Sequence, residues 1–366
     1  CGDNKYTKLV EEKFKELFGK EGKILTFFAP GRVNLIGEHT DYNGGHVFSC
    51  TLDIGTYAVV RKRQDQRLFF YSMNYPDVGI INCSLANGLE NDEEDGWANY
   101  PKGVIWAFGK RGMQPDCGLD MMVYGNIPSE SGLSSSASLE VLTGWVLRDI
   151  FDFEVSDQDI AWIGQYSENE FNGVNGSIMD QFAIAIGREN HAIYLNAEDL
   201  SHRYIPIHLD GVQLVIACTN KERDLADSKY NLRRMECERA VADLQKAVAI
   251  EKLGELSQND FEACQSAIED PVCIRRARHA VTENERTIQA VEALESNDLD
   301  TFGQLMNDSH RSLRDDYEVT GDELDALVEA AWETEGVLGS RMTGAGFGGC
   351  TISLVRTDDV DNFIKK

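Results

Sequence analysis

The stretch Gly125–Leu142 reads GNIPSESGLSSSASLEVL and says more about the fold than any other segment of the chain. A strand-like run, Asp120–Gly125, leads into it, and the apolar spacing of Ser136–Phe151 predicts a helix after it. The turn between them, Ser134–Ser136, exposes backbone N–H groups at a helix N-terminus, where the partial positive charge favours a phosphate. A serine hydroxyl there can also ligate Mg²⁺, whereas the competing interpretation is a serine N-cap without any ligand.

A second glycine-rich segment lies near the C-terminus. Thr343–Gly349 reads TGAGFGG, in which Gly344, Gly346 and Gly349 satisfy G-x-G-x-x-G. We expect a helix before it and a strand after it, whereas a dinucleotide fold needs strand, glycines and then helix, so NAD binding is disfavoured. The glycine density still predicts close approach of the backbone, either to a ligand or, as a tight packing turn, to another loop.

The third informative segment, Ala29–Gly45, reads APGRVNLIGEHTDYNGG and crowds Arg32, Glu38, His39 and Asp41 into ten residues. A zinc site is disfavoured because the segment has one histidine and no standard ligand spacing. A polyol site fits better, since carboxylates accept hydrogen bonds from sugar hydroxyls and histidine can donate and accept. The alternative is an exposed polar loop with internal ion pairs.

A fourth segment, Glu168–Phe182, reads ENEFNGVNGSIMDQF and places Asp180 between apolar neighbours. We expect this carboxylate to be partly buried and to need a cation or hydrogen-bond donors. A purely structural aspartate is the alternative. The classical signatures of P-loop enzymes and protein kinases are absent, since the chain has no G-x-x-x-x-G-K-[ST], H-R-D or D-F-G motif.

Short apolar runs and helical patterns occur in both halves of the chain, which indicates an α+β protein. Its 366 residues predict two domains, with a boundary near Tyr204–Gly211, where proline and glycine interrupt the pattern. Further strands are predicted over Lys23–Phe28, His46–Thr51, Thr56–Arg61, Val212–Cys218 and Thr351–Val355. Further helices are predicted over Asp157–Glu170, Lys229–Glu251, Val281–Leu294, Leu299–Arg314 and Glu323–Thr334.

The composition excludes several classes of partner. Hydrophobic residues make up 42% of the chain and charged residues 27%, as in soluble proteins with buried cores. The net charge of −27 repels nucleic acid and anionic lipid, so we expect neither as a partner, and no apolar run reaches the length of a membrane span. Nine scattered cysteines without a C-x-x-C pair predict reduced thiols in a cytoplasm rather than disulfides or a zinc site.

Together these segments resemble the GHMP kinases, and within them the galactokinase family. GRVNLIGEHTDYN (Gly31–Asn43) resembles the galactokinase signature, and GLSSSASLEV (Gly132–Val141) and SRMTGAGFGGC (Ser340–Cys350) resemble the family's phosphate and glycine loops. The further similar stretches are WANYPKGV (Trp97–Val104), IMDQF (Ile178–Phe182), SKYNLRRMECE (Ser228–Glu238) and SHRSLRDDYEV (Ser309–Val319). The resemblance spans nearly the whole chain, in the family's order.

The resemblance implies a two-domain GHMP kinase fold. A ribosomal-protein-S5-domain-2-like N-terminal domain is expected over residues 1–205, and a ferredoxin-like C-terminal domain with extra helices over residues 206–366, including the glycine loop 343–349. The implied activity is ATP-dependent phosphorylation of the C1 hydroxyl of galactose, the first step of galactose metabolism, with Mg²⁺ as metal. A cytoplasmic monomer is expected, with galactose and ATP as its ligands.

The resemblance also assigns site residues one by one. Asp180 and Arg32 match the catalytic pair that faces the C1 hydroxyl. The residues that match sugar ligands are Glu38, His39, Asp41, Ser177 and Tyr230. Those that match the ATP site are Trp97, Gly132, Leu133, Ser134, Ser135, Ser136 and Ala137. Ser136 and Glu168 match the positions that hold Mg²⁺.

Two departures from the family pattern leave alternatives open. Glu130 stands where relatives usually have glycine, and Ser177 stands where the family has the glycine of G-I-M-D. A relative that acts on N-acetylgalactosamine or arabinose is one alternative. Another is a protein that binds sugar and ATP without turnover and signals to a transcription regulator. The uninterrupted SSSAS segment and the presence of Asp180 and Arg32 disfavour that second alternative.

Overall fold

The computed structural model describes residues 2–129, 131–222 and 226–366. They form two compact units, neither continuous in sequence. Unit 1 comprises Cys1–Arg32, Thr51–Ile127 and Leu133–Ile186, and unit 2 comprises Val33–Cys50, Pro128–Gly132 and Gly187–Lys366. Both units mix helices and strands, which confirms the predicted mixed α and β character. The predicted domain boundary at residues 205/206 stays a prediction.

Unit 1 is built on a sheet in the order β4–β3–β5–β2, with β1 pairing with β2. Strands β3 and β5 run parallel, whereas β2 runs antiparallel to β5 with Thr56 opposite Gly125. The bounds are β1 Leu25–Ile36, β2 His46–Lys62, β3 Arg67–Ser72, β4 Ile81–Ser84 and β5 Leu119–Gly125. Strands β1 and β2 continue into unit 2 along the chain.

Runs of consecutive buried residues in β2 and β5 show that both faces of this part of the sheet are covered. Helix α1 packs on one face, where Val10 and Phe14 contact a cluster that includes Tyr57, Val59 and Met122. Helices α2 to α5 pack against one another. The bounds are α1 Asn4–Phe18, α2 Asn99–Lys110, α3 Ser135–Phe151, α4 Asp157–Tyr166 and α5 Met179–Ile186, with a π-helical turn at Ser167–Phe171.

Unit 2 holds two groups of strands. Strand β6 pairs with the first residues of β2 and with β7, and a separate antiparallel sheet has the order β8–β10–β9. Strand β9 leads directly into the glycine loop, so the predicted order of helix, glycines and strand is wrong, and the order is strand, glycines and strand. The bounds are β6 His191–Asn196, β7 His202–Pro206, β8 Val212–Cys218, β9 Val337–Thr343 and β10 Cys350–Arg356.

The helices of unit 2 pack around a core that includes Leu244, Val281 and Tyr317. Close approach of α9 to β9 requires glycine, because a Cβ at Gly303 would overlap the Leu338 carbonyl. The bounds are α6 Ala226–Leu244, α7 Gln258–Cys264, α8 Pro271–Glu295, α9 Leu299–Ser312, α10 Asp322–Trp332 and α11 Val360–Lys365. Helix α6 thus ends seven residues before the predicted end.

Two cysteines correct the prediction that every thiol is reduced. Cys350 lies directly opposite Cys218 in the pairing of β10 with β8, and the two form a disulfide. This adjacency could not be read from the sequence, because the two residues are separated by 132 positions. The other described cysteines from Cys50 to Cys273 are free thiols. None of the helices formed by the described residues is long and apolar enough to cross a membrane.

Candidate active site

The predicted phosphate loop of unit 1 runs into the first turn of α3. Ser134, the N-cap, has a φ of 64°, in the left-handed region, and its carbonyl accepts the first helical hydrogen bond from Ser138 N at 3.0 Å. The N–H groups of Ser135, Ser136 and Ala137 therefore have no partner within the helix. The hydroxyl of Ser134 is buried without a hydrogen-bond partner. An unsatisfied hydroxyl at a helix N-terminus is what an anion such as phosphate would satisfy.

A pair of oxygen donors lies one residue into this helix. Ser136 Oγ is 3.4 Å from Glu168 Oε1, and Glu168 belongs to the π-helical turn that follows α4. Burial raises the pKa of Glu168, opposed by its hydrogen bond from Gln181, so the site favours a cation that would compensate the carboxylate. A hydroxyl and a carboxylate are hard oxygen ligands, which suit Mg²⁺ when phosphates and water complete its shell.

Arg32 and Asp180 meet in the same unit. Arg32 Nε donates to Asp180 Oδ1 at 2.8 Å, and Arg32 N donates to the carbonyl of Leu133 at 3.2 Å. The Arg32 side chain is only 8% exposed, whereas that of Asp180 is 43% exposed and can be reached by a ligand. The structure therefore brings the two predicted catalytic residues into contact next to the start of the phosphate loop.

Two other predicted residues of unit 1 are Trp97, in the short 3-10 helix Glu93–Ala98, and Ser177. The indole Nε1 of Trp97 is buried without a hydrogen-bond partner, and its ring packs edge-on against Phe70. Ser177 follows Gly176 in the segment before α5, and its hydroxyl accepts from Met179 N at 3.4 Å. A Cβ at Gly176 would lie 3.0 Å from Glu168, so a glycine suits that position. Glu130 lies outside the described residues.

In unit 2, Glu38 of the signature segment Gly31–Asn43 forms hydrogen bonds and an ion pair with residues in and before the glycine loop. Its Oε1 accepts from Gly344 N at 2.9 Å and pairs with Arg341 at 3.0 Å, and its Oε2 accepts from Asn34 at 3.2 Å. Glu38 is buried, and Arg341 is completely buried. Thr343 Oγ1 also donates to Oε1, at 3.3 Å, so that oxygen is fully used and the capacity for a further donor lies on Oε2.

The imidazole of His39 is fixed from both sides. His39 Nε2 lies 2.8 Å from the carbonyl of Ala345, and Nδ1 lies 2.7 Å from the Tyr42 hydroxyl. A carbonyl only accepts, so Nε2 carries the proton and Nδ1 accepts from Tyr42. Burial lowers the pKa of His39, which keeps the ring neutral. Neither ring nitrogen is available to a sugar hydroxyl in this arrangement.

The same hydrogen bonds continue into the core. Because Tyr42 donates to His39, its oxygen accepts from Tyr317 at 2.5 Å, and Tyr317 in turn accepts from Cys237 Sγ at 3.1 Å. Burial raises the pKa of both tyrosines well above the usual value, so both hydroxyls keep their protons. The series of hydrogen bonds from Cys237 through Tyr317, Tyr42 and His39 to the Ala345 carbonyl therefore has a single donor-to-acceptor direction.

The two remaining candidates for sugar ligands, Asp41 and Tyr230, lie near this series of hydrogen bonds. Asp41 begins the short turn Asp41–Asn43, immediately after the loop that holds His39. Tyr230 projects from α6, and its ring centroid lies 5.7 Å from that of His39 and 5.4 Å from that of Tyr42. Unit 2 thus places Tyr230 beside the signature residues, more than 180 residues away in sequence.

Sequence reasoning missed several buried side chains that support these residues. They are Glu140, Gln181, Arg341 and Tyr317. A signal for one of them was present, since Glu140 stands one helical turn after Ser136. Burial, followed by the nearby charge of Glu168, raises the pKa of Glu140 well above its usual value.

Comparison with known protein families places this geometry in context. Residues 12–62 match the model of the galactokinase galactose-binding signature, residues 99–188 the N-terminal domain of GHMP kinases, and residues 290–366 their C-terminal domain.

Whole-chain comparisons agree with these matches. The chain is 55% identical to the galactokinase of Clostridium beijerinckii over 98% of its own length and 92% of the relative, and 53% identical to that of Bacillus subtilis over 96% and 90%. The structure of Lactococcus lactis galactokinase complexed with galactose superimposes with a TM-score of 0.93 at 47% identity, covering 98% of this chain and 92% of that one. Methanococcus jannaschii mevalonate kinase shares the fold, with a TM-score of 0.69 at 21% identity over 94% and 95%.

Proposed function

The chain belongs to the galactokinase family of the GHMP kinases, and from this premise we propose that it phosphorylates the C1 hydroxyl of galactose with ATP. The observation that carries the proposal is the contact of Arg32 with Asp180 at 2.8 Å, in the unit that also contains the N-terminus of α3. A carboxylate that a ligand can reach, beside a buried arginine, combines an acceptor for a hydroxyl proton with a positive charge.

Asp180 and Arg32 would divide the chemistry of the reacting hydroxyl. Phosphoryl transfer has a loose transition state, so orientation of the hydroxyl and neutralisation of charge matter more than strong general-base catalysis. We assign Asp180 to orient the C1 hydroxyl and to accept its proton. Arg32 holds the Asp180 carboxylate in place through Nε and contributes positive charge beside the transferred group.

The nucleotide side would be formed by the first turn of α3. The N–H groups of Ser135, Ser136 and Ala137 suit phosphate oxygens, and the Ser134 hydroxyl and the Trp97 indole are buried polar groups that lack a partner. Ser136 and Glu168 fit Mg²⁺ as two oxygen ligands. When bound, the ion would neutralise charge on the β- and γ-phosphates of ATP.

The sugar hydroxyls would be recognised from the signature loop. Glu38 and Asp41 offer carboxylate acceptors, and Tyr230 offers a phenol at the edge of the same cluster. The imidazole of His39 is occupied on both nitrogens, so its assignment as a hydroxyl ligand stays a prediction, as does that of Ser177. The cytoplasmic location and the monomeric state also stay predictions.

A panel of sugars tests the proposal. The chain is incubated with ATP and galactose, glucose, N-acetylgalactosamine or arabinose, with and without Mg²⁺, and the phosphorylated carbon is identified by ³¹P nuclear magnetic resonance. Galactose-selective, Mg²⁺-dependent formation of a C1 phosphate is expected. Preference for another sugar would revise the substrate, and binding of sugar and ATP without turnover would support the signalling alternative instead.

A further inference from the structure

A buried amide joins two carboxylates behind the phosphate loop. Gln181 Nε2 donates to Glu168 Oε2 at 2.9 Å and to Glu140 Oε1 at 3.2 Å. Gln181 is only 1% exposed and Glu140 is completely buried. The mechanism proposed above uses neither side chain, although Gln181 follows Asp180 directly in sequence.

The orientation of this amide is set by its partners. Glu168 Oε2 and Glu140 Oε1 are the acceptors that lie against the amide, so the nitrogen of Gln181, and not its oxygen, faces both carboxyl groups. An amide turned the other way would place its oxygen against two carboxylate oxygens. Gln181 therefore holds one edge of the Glu168 carboxylate, and the opposite oxygen of that carboxylate faces Ser136 Oγ.

Three elements of unit 1 meet at this amide. Ser136 and Glu140 lie one helical turn apart on the same side of α3, Glu168 comes from the π-helical turn, and Gln181 comes from the first turn of α5. The side chain that would ligate the metal is thus supported by the helix that supplies the other ligand. Such outer partners of a metal ligand commonly fix its orientation.

The arrangement leaves buried polar atoms unsatisfied. Gln181 Oε1 and Glu140 Oε2 are both buried without a hydrogen-bond partner. Buried unsatisfied acceptors cost free energy, and an apolar pair of the same size would avoid that cost. Packing alone therefore does not explain why a glutamine and a glutamate occupy these positions.

We propose that Gln181 is a positioning residue that, anchored by Glu140, orients the Glu168 carboxylate toward Ser136 and so prepares the pair to bind the divalent cation of the nucleotide complex. This inference rests on the proposed function, because it assigns Ser136 and Glu168 to the metal. It concerns binding of the cation more than binding of the sugar.

The test compares Gln181→Met with Gln66→Met. Methionine keeps the length of the side chain and removes its donors, and Gln66 is an exposed glutamine of the same unit whose amide donates to the Asp116 carbonyl. Binding of Mn²⁺·ADP is measured by electron paramagnetic resonance, galactose binding by calorimetry and folding by thermal unfolding. Glu140→Gln keeps an acceptor for Gln181 and serves as the conservative variant.

We expect Gln181→Met to weaken Mn²⁺ binding in the ADP complex by about 10-fold and to raise the Mg²⁺ concentration for half-maximal turnover by a similar factor. Galactose affinity should change less than 2-fold, and Gln66→Met and Glu140→Gln should bind Mn²⁺·ADP like the original chain. A folded Gln181→Met that binds Mn²⁺·ADP normally would overturn the inference alone. Failure of the original chain to bind it would overturn the proposed function as well.

Discussion

Replacing Asp180 by asparagine separates its chemical role from its structural one. The asparagine oxygen can still accept from Arg32 Nε, so the 2.8 Å contact is kept while the negative charge is removed. Because the Asp180 side chain is 43% exposed, the loss of charge assistance is screened by water and should lower the free energy of unfolding by about 1 kcal/mol or less. Loss of the proton acceptor should act on turnover instead.

The expected loss of turnover is large by comparison. A positioned general base contributes about 10²- to 10⁴-fold, equivalent to about 3–5 kcal/mol in the barrier. We therefore expect kcat to fall by at least about 100-fold in Asp180→Asn. The galactose affinity measured by calorimetry should stay within about 5-fold, and the midpoint of thermal unfolding within about 4 °C.

The assay couples ADP formation to a spectroscopic signal with galactose and Mg²⁺ATP saturating. Asp77→Asn, a change to an exposed aspartate of the same unit, is the control and should retain full activity. If Asp180→Asn kept kcat within 10-fold while remaining folded, Asp180 would not be the proton acceptor. If Asp180→Asn instead lost its activity because it unfolded, the predicted small change in the free energy of unfolding would be wrong.

Three further predictions concern the signature loop, the glycine loop and helix α9 of unit 2. Tyr42→Phe leaves the buried Nδ1 of His39 without a donor and should lower the free energy of unfolding by about 1–3 kcal/mol in denaturant titrations. Gly346→Ala should lower the midpoint of thermal unfolding, because φ is 89° and the added Cβ would overlap the Val319 carbonyl; an unchanged midpoint would refute this. Burial lowers the pKa of His310 to about 4, so between pH 6.5 and 4 the unfolded chain binds more protons than the folded one. The free energy of unfolding should therefore decrease as the pH is lowered through this range, by up to about 1.4 kcal/mol per pH unit. His310→Gln should show a shallower pH dependence of the unfolding midpoint than the original chain.

The segment around the phosphate loop was predictable because its signals are local. The strand expected over Asp120–Gly125 begins one residue earlier in the structure, and the helix expected over Ser136–Phe151 also begins one residue earlier. Apolar spacing and a serine turn at the helix start depend only on neighbours in sequence. The contact of Arg32 with Asp180, 148 positions apart, followed instead from family resemblance.

Strand β9 shows what local signals cannot provide. Its Gly339, Ser340 and Arg341 are untypical of a strand, yet all three are buried. Their burial depends on distant partners, since Arg341 pairs with Glu38 and Ser340 contacts Ser353. The same reason explains why the sequence did not predict Gln181 as a partner of Glu168.

The single direction of the hydrogen bonds from Cys237 to Ala345 has a consequence for the glycine loop. One backbone carbonyl, that of Ala345, decides which nitrogen of His39 is protonated, and through Tyr42 and Tyr317 it decides the position of every following proton. If that carbonyl turned away, the two tautomers of His39 would become close in energy, and the hydrogen bonds would no longer run in one direction. Loop conformation and histidine tautomer are therefore one degree of freedom, and the ¹⁵N shifts of the imidazole report how the glycine loop is folded.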